Sequence, residues 1–183
     1  MPKLRWTFLA AIVLGAAAVL ATAAFDRHGG VSAHVDAKPL APGVWISEQI
    51  APEQLAALKA QGFRAVVDLR PDNEVAGQPS ASTMGEAALR QGLRFDYIPV
   101  THGEVPAGAV ETLGRTLAQD HSPVLLYCRS GRRAARTWAL AEASRPGGLD
   151  APAILNAVHH AGQDAGDLAD QITDRIAARS ATH

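Results

Sequence analysis

The run Val124-Leu125-Leu126-Tyr127 is apolar enough to be a buried strand, and it ends at Cys128, the only cysteine in 183 residues. Behind it Arg133 to Ser144 has a helical pattern, so strand and helix are joined by the turn Cys128-Arg129-Ser130-Gly131-Arg132-Arg133. A strand that passes into a helix through a short polar turn belongs to an α/β sheet, and such sheets bind ligands at the carboxyl ends of their strands.

The rest of the chain repeats this alternation. Val44-Trp45-Ile46 reads as a short strand. Pro52 stands at a first helical position, with Leu55 and Leu58 behind it and Gly62 as a stop. Phe63 to Leu69 reads as a buried strand turned by Arg70-Pro71-Asp72-Asn73. Thr83 and Glu86 fit a capping box for a helix from about Met84 to Gln91, closed by Gly92. Phe95 to Val100 is the next strand, and Pro106 opens a helix carrying Val110, Leu113 and Leu117. Two helices are predicted beyond Pro146-Gly147-Gly148, over 151–161 and 167–179, the second with Leu168, Ile172 and Ile176 as a stripe to pack on the domain. No internal repeat is visible. The fold class is therefore α/β, a mainly parallel central sheet flanked by helices.

The amino terminus has a different character. Lys3 and Arg5 precede an uncharged stretch from Thr7 to Phe25, about the length that crosses a ~30 Å hydrocarbon core. A basic flank placed first predicts a cytoplasmic amino terminus and export of the remainder. Ala21-Thr22-Ala23 fits a signal-peptidase site, so residues 1–25 read either as a removable signal peptide or as a membrane anchor. Residues 26–42, with Gly29-Gly30 and two prolines, read as a linker. The catalytic domain is then expected over 43–145, with C-terminal helices over 146–183.

Composition excludes several classes. A net charge of -1 argues against a broad basic surface for nucleic acid. One cysteine permits neither an internal disulfide nor a four-cysteine zinc site. His159 and His160 are adjacent on a predicted helix and face different directions, so they make no metal site. No metal or cofactor is implied.

The Cys128 turn carries the chemistry. Backbone N–H groups at a helix start bind anions, and a thiol placed there is expected to be partly thiolate at neutral pH. Gly131 permits a positive-φ turn that points successive N–H groups inward. Arg133 offers a planar fork for two oxygens of a tetrahedral oxyanion. The plainer alternative, a small buried thiol beside a solvated helix start, is disfavoured by the placement of Ser130-Gly131 and Arg133 directly after the strand. Four arginines between 129 and 136 make a positive mouth suited to a small anionic substrate or a phosphorylated protein. Trp45 and Trp138 read as core.

From Val44 to about Trp138 the chain resembles the phosphatase-like domain of beta-lactamase hydrolase-like proteins, a family also described as sulfur-transferase-like. The resemblance rests on Ile46-Ser47-Glu48-Gln49, on Val67-Asp68-Leu69-Arg70-Pro71-Asp72-Asn73-Glu74, on Gln78-Pro79, on Ile98-Pro99-Val100 and on the Cys128–Arg133 turn, in that order. It implies the fold of dual-specificity and protein tyrosine phosphatases. It also implies Cys128 as nucleophile, Arg133 as oxyanion-binding arginine and the amides of Arg129, Ser130, Gly131 and Arg132 as the substrate cradle. Four residues separate Cys128 from Arg133, whereas the tyrosine phosphatase signature has five. Four is the spacing of rhodanese-type loops and of the resembling family. Ala134 stands where a hydroxyl often assists the cysteine's departure.

A phosphatase of this type also needs a proton donor for the leaving oxygen. Glu104 and His102, in the loop after the Phe95–Val100 strand, and Asp72, on another strand-end loop, are the candidates. A sulfurtransferase that works through a Cys128 persulfide needs no such acid. The expected activity is a cysteine-dependent phosphatase-like hydrolase, with a sulfurtransferase as the alternative. Two further alternatives are a non-catalytic oxyanion-binding module and a redox-responsive thiol.

Overall fold

The computed structural model describes residues 34–119 and 123–181. The expected export segment and the first part of the linker lie outside the described residues. Strands β1 (Lys38–Ala41), β2 (Val44–Ser47), β3 (Ala65–Asp68), β4 (Arg94–Tyr97) and β5 (Val124–Tyr127) form one sheet in the order β1-β2-β5-β3-β4. β2, β5, β3 and β4 are parallel neighbours, and β1 is an antiparallel edge strand on β2. The sheet is therefore mixed: the expected parallel body with one antiparallel addition. β1 also corrects the linker, because residues 38–41 are strand. Pro39 is tolerated there because an edge strand leaves one side unpaired.

Every residue of β3 and β5 is buried, as required of strands covered on both faces. The register levels Ser47, Tyr127 and Asp68 across three strands, so the carboxyl ends of β2, β5 and β3 open at one height. Alternation along β5 sends Leu125 and Tyr127 to one face, and Leu126 and Cys128 to the other.

Six helices cover these faces among the described residues. On the Tyr127 side, α1 (Leu55–Ala60), entered through a 3₁₀ turn at Pro52–Gln54, and α2 (Ala81–Arg90) bury Leu55, Leu58 and Met84 with Val66. On the Cys128 side lie α3 (Ala107–Leu117), α4 (Arg132–Ser144), α5 (Ala151–His160) and α6 (Ala169–Ser180). Their core includes Leu113, Trp138, Ile154 and Ile172 with Val67 and Leu126. Each fully buried side chain of this size contributes about 1.5–3 kcal/mol. Trp138 is core, as read; Trp45 is only partly buried and meets Phe63 edge-on at 6.1 Å. The C-terminal helices pack on the domain, burying Ile154, Val158 and Ile172 completely.

Two helix starts differ from the sequence reading. α2 is capped by Ser80, whose hydroxyl accepts the Thr83 N–H at 3.1 Å, so Thr83 lies in the first turn and is not the cap. Ser80 is extended (φ -73°, ψ 157°), the conformation a cap requires, and the Thr83–Glu86 spacing imitated that signal one turn late. α4 starts at Arg132, with Gly131 as its cap residue. Among the described residues no helix is long and apolar enough to cross a membrane.

Candidate active site

Cys128 leaves β5 directly after Tyr127 and is 1 % exposed. Gly131 then turns the chain at φ 82°, and α4 begins. A Cβ at Gly131 would lie 3.1 Å from Gln163 Nε2 and 3.4 Å from the Ser47 carbonyl, so the turn needs glycine for space as well as for conformation. No side chain caps α4, and the first amides of a helix have no acceptor within it. Those N–H groups stand where the sequence reading expects an anion to be held. On its outer side the loop is held by Gln163, whose Nε2 donates to the Ser130 carbonyl at 2.9 Å, and by the Gln49 N–H on the Arg129 carbonyl.

Arg133 is almost buried, and its guanidinium is oriented from behind. Nη1 donates to Glu74 Oε1 at 2.5 Å and to the Val100 carbonyl at 2.7 Å, while Nη2 donates to Glu74 Oε2 at 2.9 Å. A guanidinium has five N–H donors. The two of Nη1 and one of Nη2 are used, which leaves Nε–H and the second Nη2–H, neighbours on one edge. That edge can still hold two oxygens. The Cys128 sulfur lies within reach of the same guanidinium. Burial opposes the charge of Arg133, but Glu74 and the cysteine outweigh it, so the group is held more firmly cationic than usual.

Glu74 is the hub of this arrangement. It also accepts Arg70 Nε at 3.0 Å, and Arg70 Nη1 reaches Gln49 Oε1 at 2.9 Å. The hydrogen bonds from Arg133, and then those from Arg70, hold the Glu74 carboxyl down at about 2. Beneath them Asp68 is buried at the end of β3 and accepts the Arg70 N–H at 2.8 Å. Burial pushes its carboxyl up to about 6. The buried Tyr127 hydroxyl beside it has no hydrogen-bond partner of good geometry, and burial together with the Asp68 charge raises its own proton affinity.

The candidate acids separate clearly. Glu104 and His102 line a groove of about 440 Å³ together with Arg132, Arg133 and Arg136. His102 Nε2 stands 3.8 Å from Glu74 Oε1. Asp72 does not line this groove: its Oδ1 accepts the Ala81 N–H at the start of α2, and its own N–H donates to the Tyr97 hydroxyl. The positive mouth is also narrower than four arginines suggested. Arg133 is matched by Glu74, and the buried Arg136 by Asp167. Among the described residues Arg129 and Arg132 are exposed and make no ion pair. The same residues contain no group of three His, Cys, Asp or Glu able to hold a metal. The His159 and His160 rings stand perpendicular, and His160 Nδ1 lies 2.8 Å from the Asn156 carbonyl.

The model of the phosphatase-like domain of beta-lactamase hydrolase-like proteins matches residues 36–145, more than half of the chain. The chain belongs to this family. The beta-lactamase hydrolase-like protein of Xylella fastidiosa is 32% identical over 97 residues, covering 53% of this chain and 22% of the relative. The chain thus spans about a fifth of the length of the curated relatives it matches. Among solved structures, a putative phosphatase from Neisseria meningitidis superposes with a TM-score of 0.65 at 24% identity, covering 79% of this chain and 99% of that one. TpbA of P. aeruginosa, solved in complex with pTyr, superposes at 0.52 with 19% identity over 81% of this chain and 94% of its own. These neighbours establish a tyrosine phosphatase-like fold for the domain.

Glu74, Arg70, Gln49 and Asp68 were not singled out as functional by sequence reasoning, although all four stand in the segments that carry the family resemblance. Gln163 had no such signal and lies beyond the family match.

Proposed function

We propose that the phosphatase-like domain is a cysteine-dependent hydrolase acting on an anionic phosphoester. The observation that supports this reading is the Arg133 guanidinium, gripped from one side by Glu74 and the Val100 carbonyl and within hydrogen-bond reach of Cys128, at the start of a helix whose first amides have no side-chain cap. An oxyanion seated there meets pre-oriented donors, and donors fixed in advance are the main source of electrostatic rate enhancement.

In the proposed reaction the Cys128 thiolate attacks phosphorus. The S–P bond forms as the P–O bond to the leaving group breaks, and Glu104, on the groove wall, gives that oxygen its proton. Glu104 then accepts a proton from water, which attacks the cysteinyl phosphate. Phosphate leaves and the thiolate is restored. Arg133 and the loop amides hold the non-bridging oxygens in both steps. Glu104 is preferred to Asp72 because it shares the groove with Arg133. The substrate is a small phosphoester or a phosphorylated protein, and the phosphotyrosine in the TpbA complex makes an aryl phosphate the first probe. From the Thr7–Phe25 segment we propose an exported location for the domain.

Sulfur transfer is the second reading, favoured by the four-residue spacing from Cys128 to Arg133 and by Ala134. Two parallel assays separate the readings: phosphate release from an aryl phosphate, and thiocyanate formation from thiosulfate and cyanide. Each is run on the wild type and on Cys128→Ser. Cys128-dependent phosphate release is expected. Thiocyanate formation alone transfers the site to sulfur chemistry, and neither activity leaves an anion-binding module.

A further inference from the structure

We infer that Gln163 is a positioning residue of the Cys128 loop: its side-chain amide sets the Ser130–Gly131 peptide so that the Gly131 N–H points into the anion cradle. The inference rests on the proposed oxyanion site and assigns the C-terminal segment a part in it.

A trans peptide is planar, with its C=O and N–H pointing in opposite directions. Gln163 Nε2 donates to the Ser130 carbonyl at 2.9 Å and so fixes that oxygen toward the α5–α6 connection. The N–H of the same peptide belongs to Gly131 and must point the other way. Gly131 is in the left-handed region at φ 82°, where glycine crosses readily between conformations. Without an outer anchor the peptide has little to stop it turning over and presenting its carbonyl to the anion.

Gln163 is itself held in place. α5 closes with Gly162 N–H on the His159 carbonyl and Gln163 N–H on the Val158 carbonyl, and Gly162 has φ 76°. This is a left-handed glycine stop, which reverses the chain at a fixed angle. Asp164 Oδ1 then accepts the Gly166 N–H at 2.8 Å, and Ala165 and Leu168 on either side of the turn are buried in the core. Asp167 ties the turn to α4 through Arg136. The approach to the loop is close, since a Cβ at Gly131 would sit 3.1 Å from Gln163 Nε2.

The test uses Gln163→Met, which keeps length and packing but has no donor, and Gln163→Ala as a second variant. Inorganic phosphate is titrated into ¹⁵N-labelled Cys128→Ser protein with and without each change, while the Gly131 amide resonance is followed. Thermal unfolding is recorded alongside. In the Cys128→Ser parent the Gly131 amide shifts with phosphate. In the Gln163 variants that shift is lost and phosphate binds about tenfold more weakly, with unfolding midpoints close to the parent's. On the Cys128 enzyme the same variants lower kcat for an aryl phosphate by about 10- to 100-fold, more than they raise KM, because loss of one oxyanion donor acts on the transition state. Parent-like phosphate affinity and an unchanged Gly131 shift in Gln163→Met overturn the inference. If the wild type releases no phosphate yet binds it in a Gln163-dependent way, the inference stands and the hydrolase reading falls. If turnover depends on Cys128 but not on Gln163, the reverse holds.

Discussion

Replacing Glu74 with glutamine tests the support behind Arg133. The carboxyl of Glu74 is drawn from an ordinary 4.5 to about 2, chiefly by Arg133. At about 1.4 kcal/mol for each tenfold change in proton affinity, this depression corresponds to about 3 kcal/mol of folding stability at neutral pH. Solvent screening is limited, because the side chains of Arg133 and Glu74 are 9% and 15% exposed. The Glu74→Gln variant would keep one carbonyl acceptor but lose the charge and the two-pronged contact, so a loss of about 2–3 kcal/mol is expected at pH 7. For a domain of this size that is a fall of about 4–12 °C in the unfolding midpoint. The sign follows from the depressed carboxyl. The unfolded chain binds the proton first as pH falls, so the stabilisation is complete above 4.5 and disappears as pH approaches about 2. Urea unfolding of both proteins between pH 7 and pH 2.5 should show a gap that closes over that window. A gap of the same size at both ends, or none at pH 7, refutes the reasoning.

Three further outcomes follow from the same geometry. Asp68→Asn should flatten the pH dependence of stability, because the buried carboxyl of Asp68 is pushed from 3.8 up to about 6. In the wild type that contribution is complete below 3.8 and is lost as pH rises through about 6, by about 3 kcal/mol; a parallel slope in urea unfolding of the variant contradicts this. Gly131→Ala should cost about 1–2 kcal/mol from its left-handed backbone alone and should weaken phosphate binding, as its methyl group pushes on Gln163; unchanged affinity by titration contradicts the packing described. Arg133→Lys should lower kcat/KM for an aryl phosphate by at least about tenfold, since an ammonium cannot reproduce the fork between Glu74 and two substrate oxygens; unchanged steady-state kinetics would move the clamp elsewhere.

What could be read from the sequence follows physical lines. β3 and β5 were legible because every residue is buried, which forces short runs that are mostly apolar, and α4 because small residues fill most of its buried positions around Trp138 and Leu140. The position of Cys128 and Arg133 was legible because one local strand–turn–helix junction fixes both. β1 was hidden: an edge strand of four residues with Pro39 carries neither an apolar run nor alternation. The Ser80 cap was masked by a second, similar spacing at Thr83 and Glu86. Glu74 and Gln163 were hidden for a deeper reason. Glu74 meets Arg133 across 59 residues of sequence, and Gln163 meets Ser130 across 33, so in a one-dimensional reading each is one polar loop residue among many. Asp72 shows the converse case. Its carboxylate chemistry suited an acid, but its position at the start of α2 turns that carboxylate to a backbone amide.

The central claim is that the sulfur of Cys128 bonds to phosphorus during turnover. Rapid acid quenching of the wild-type enzyme with an aryl phosphate, followed by mass analysis of the peptide that contains Cys128, tests it directly. The expected result is the mass of one added phosphoryl group on that peptide during turnover, absent in Cys128→Ser. Phosphate release without any such adduct, or a sulfur adduct formed from thiosulfate with no phosphoryl adduct from the ester, contradicts it.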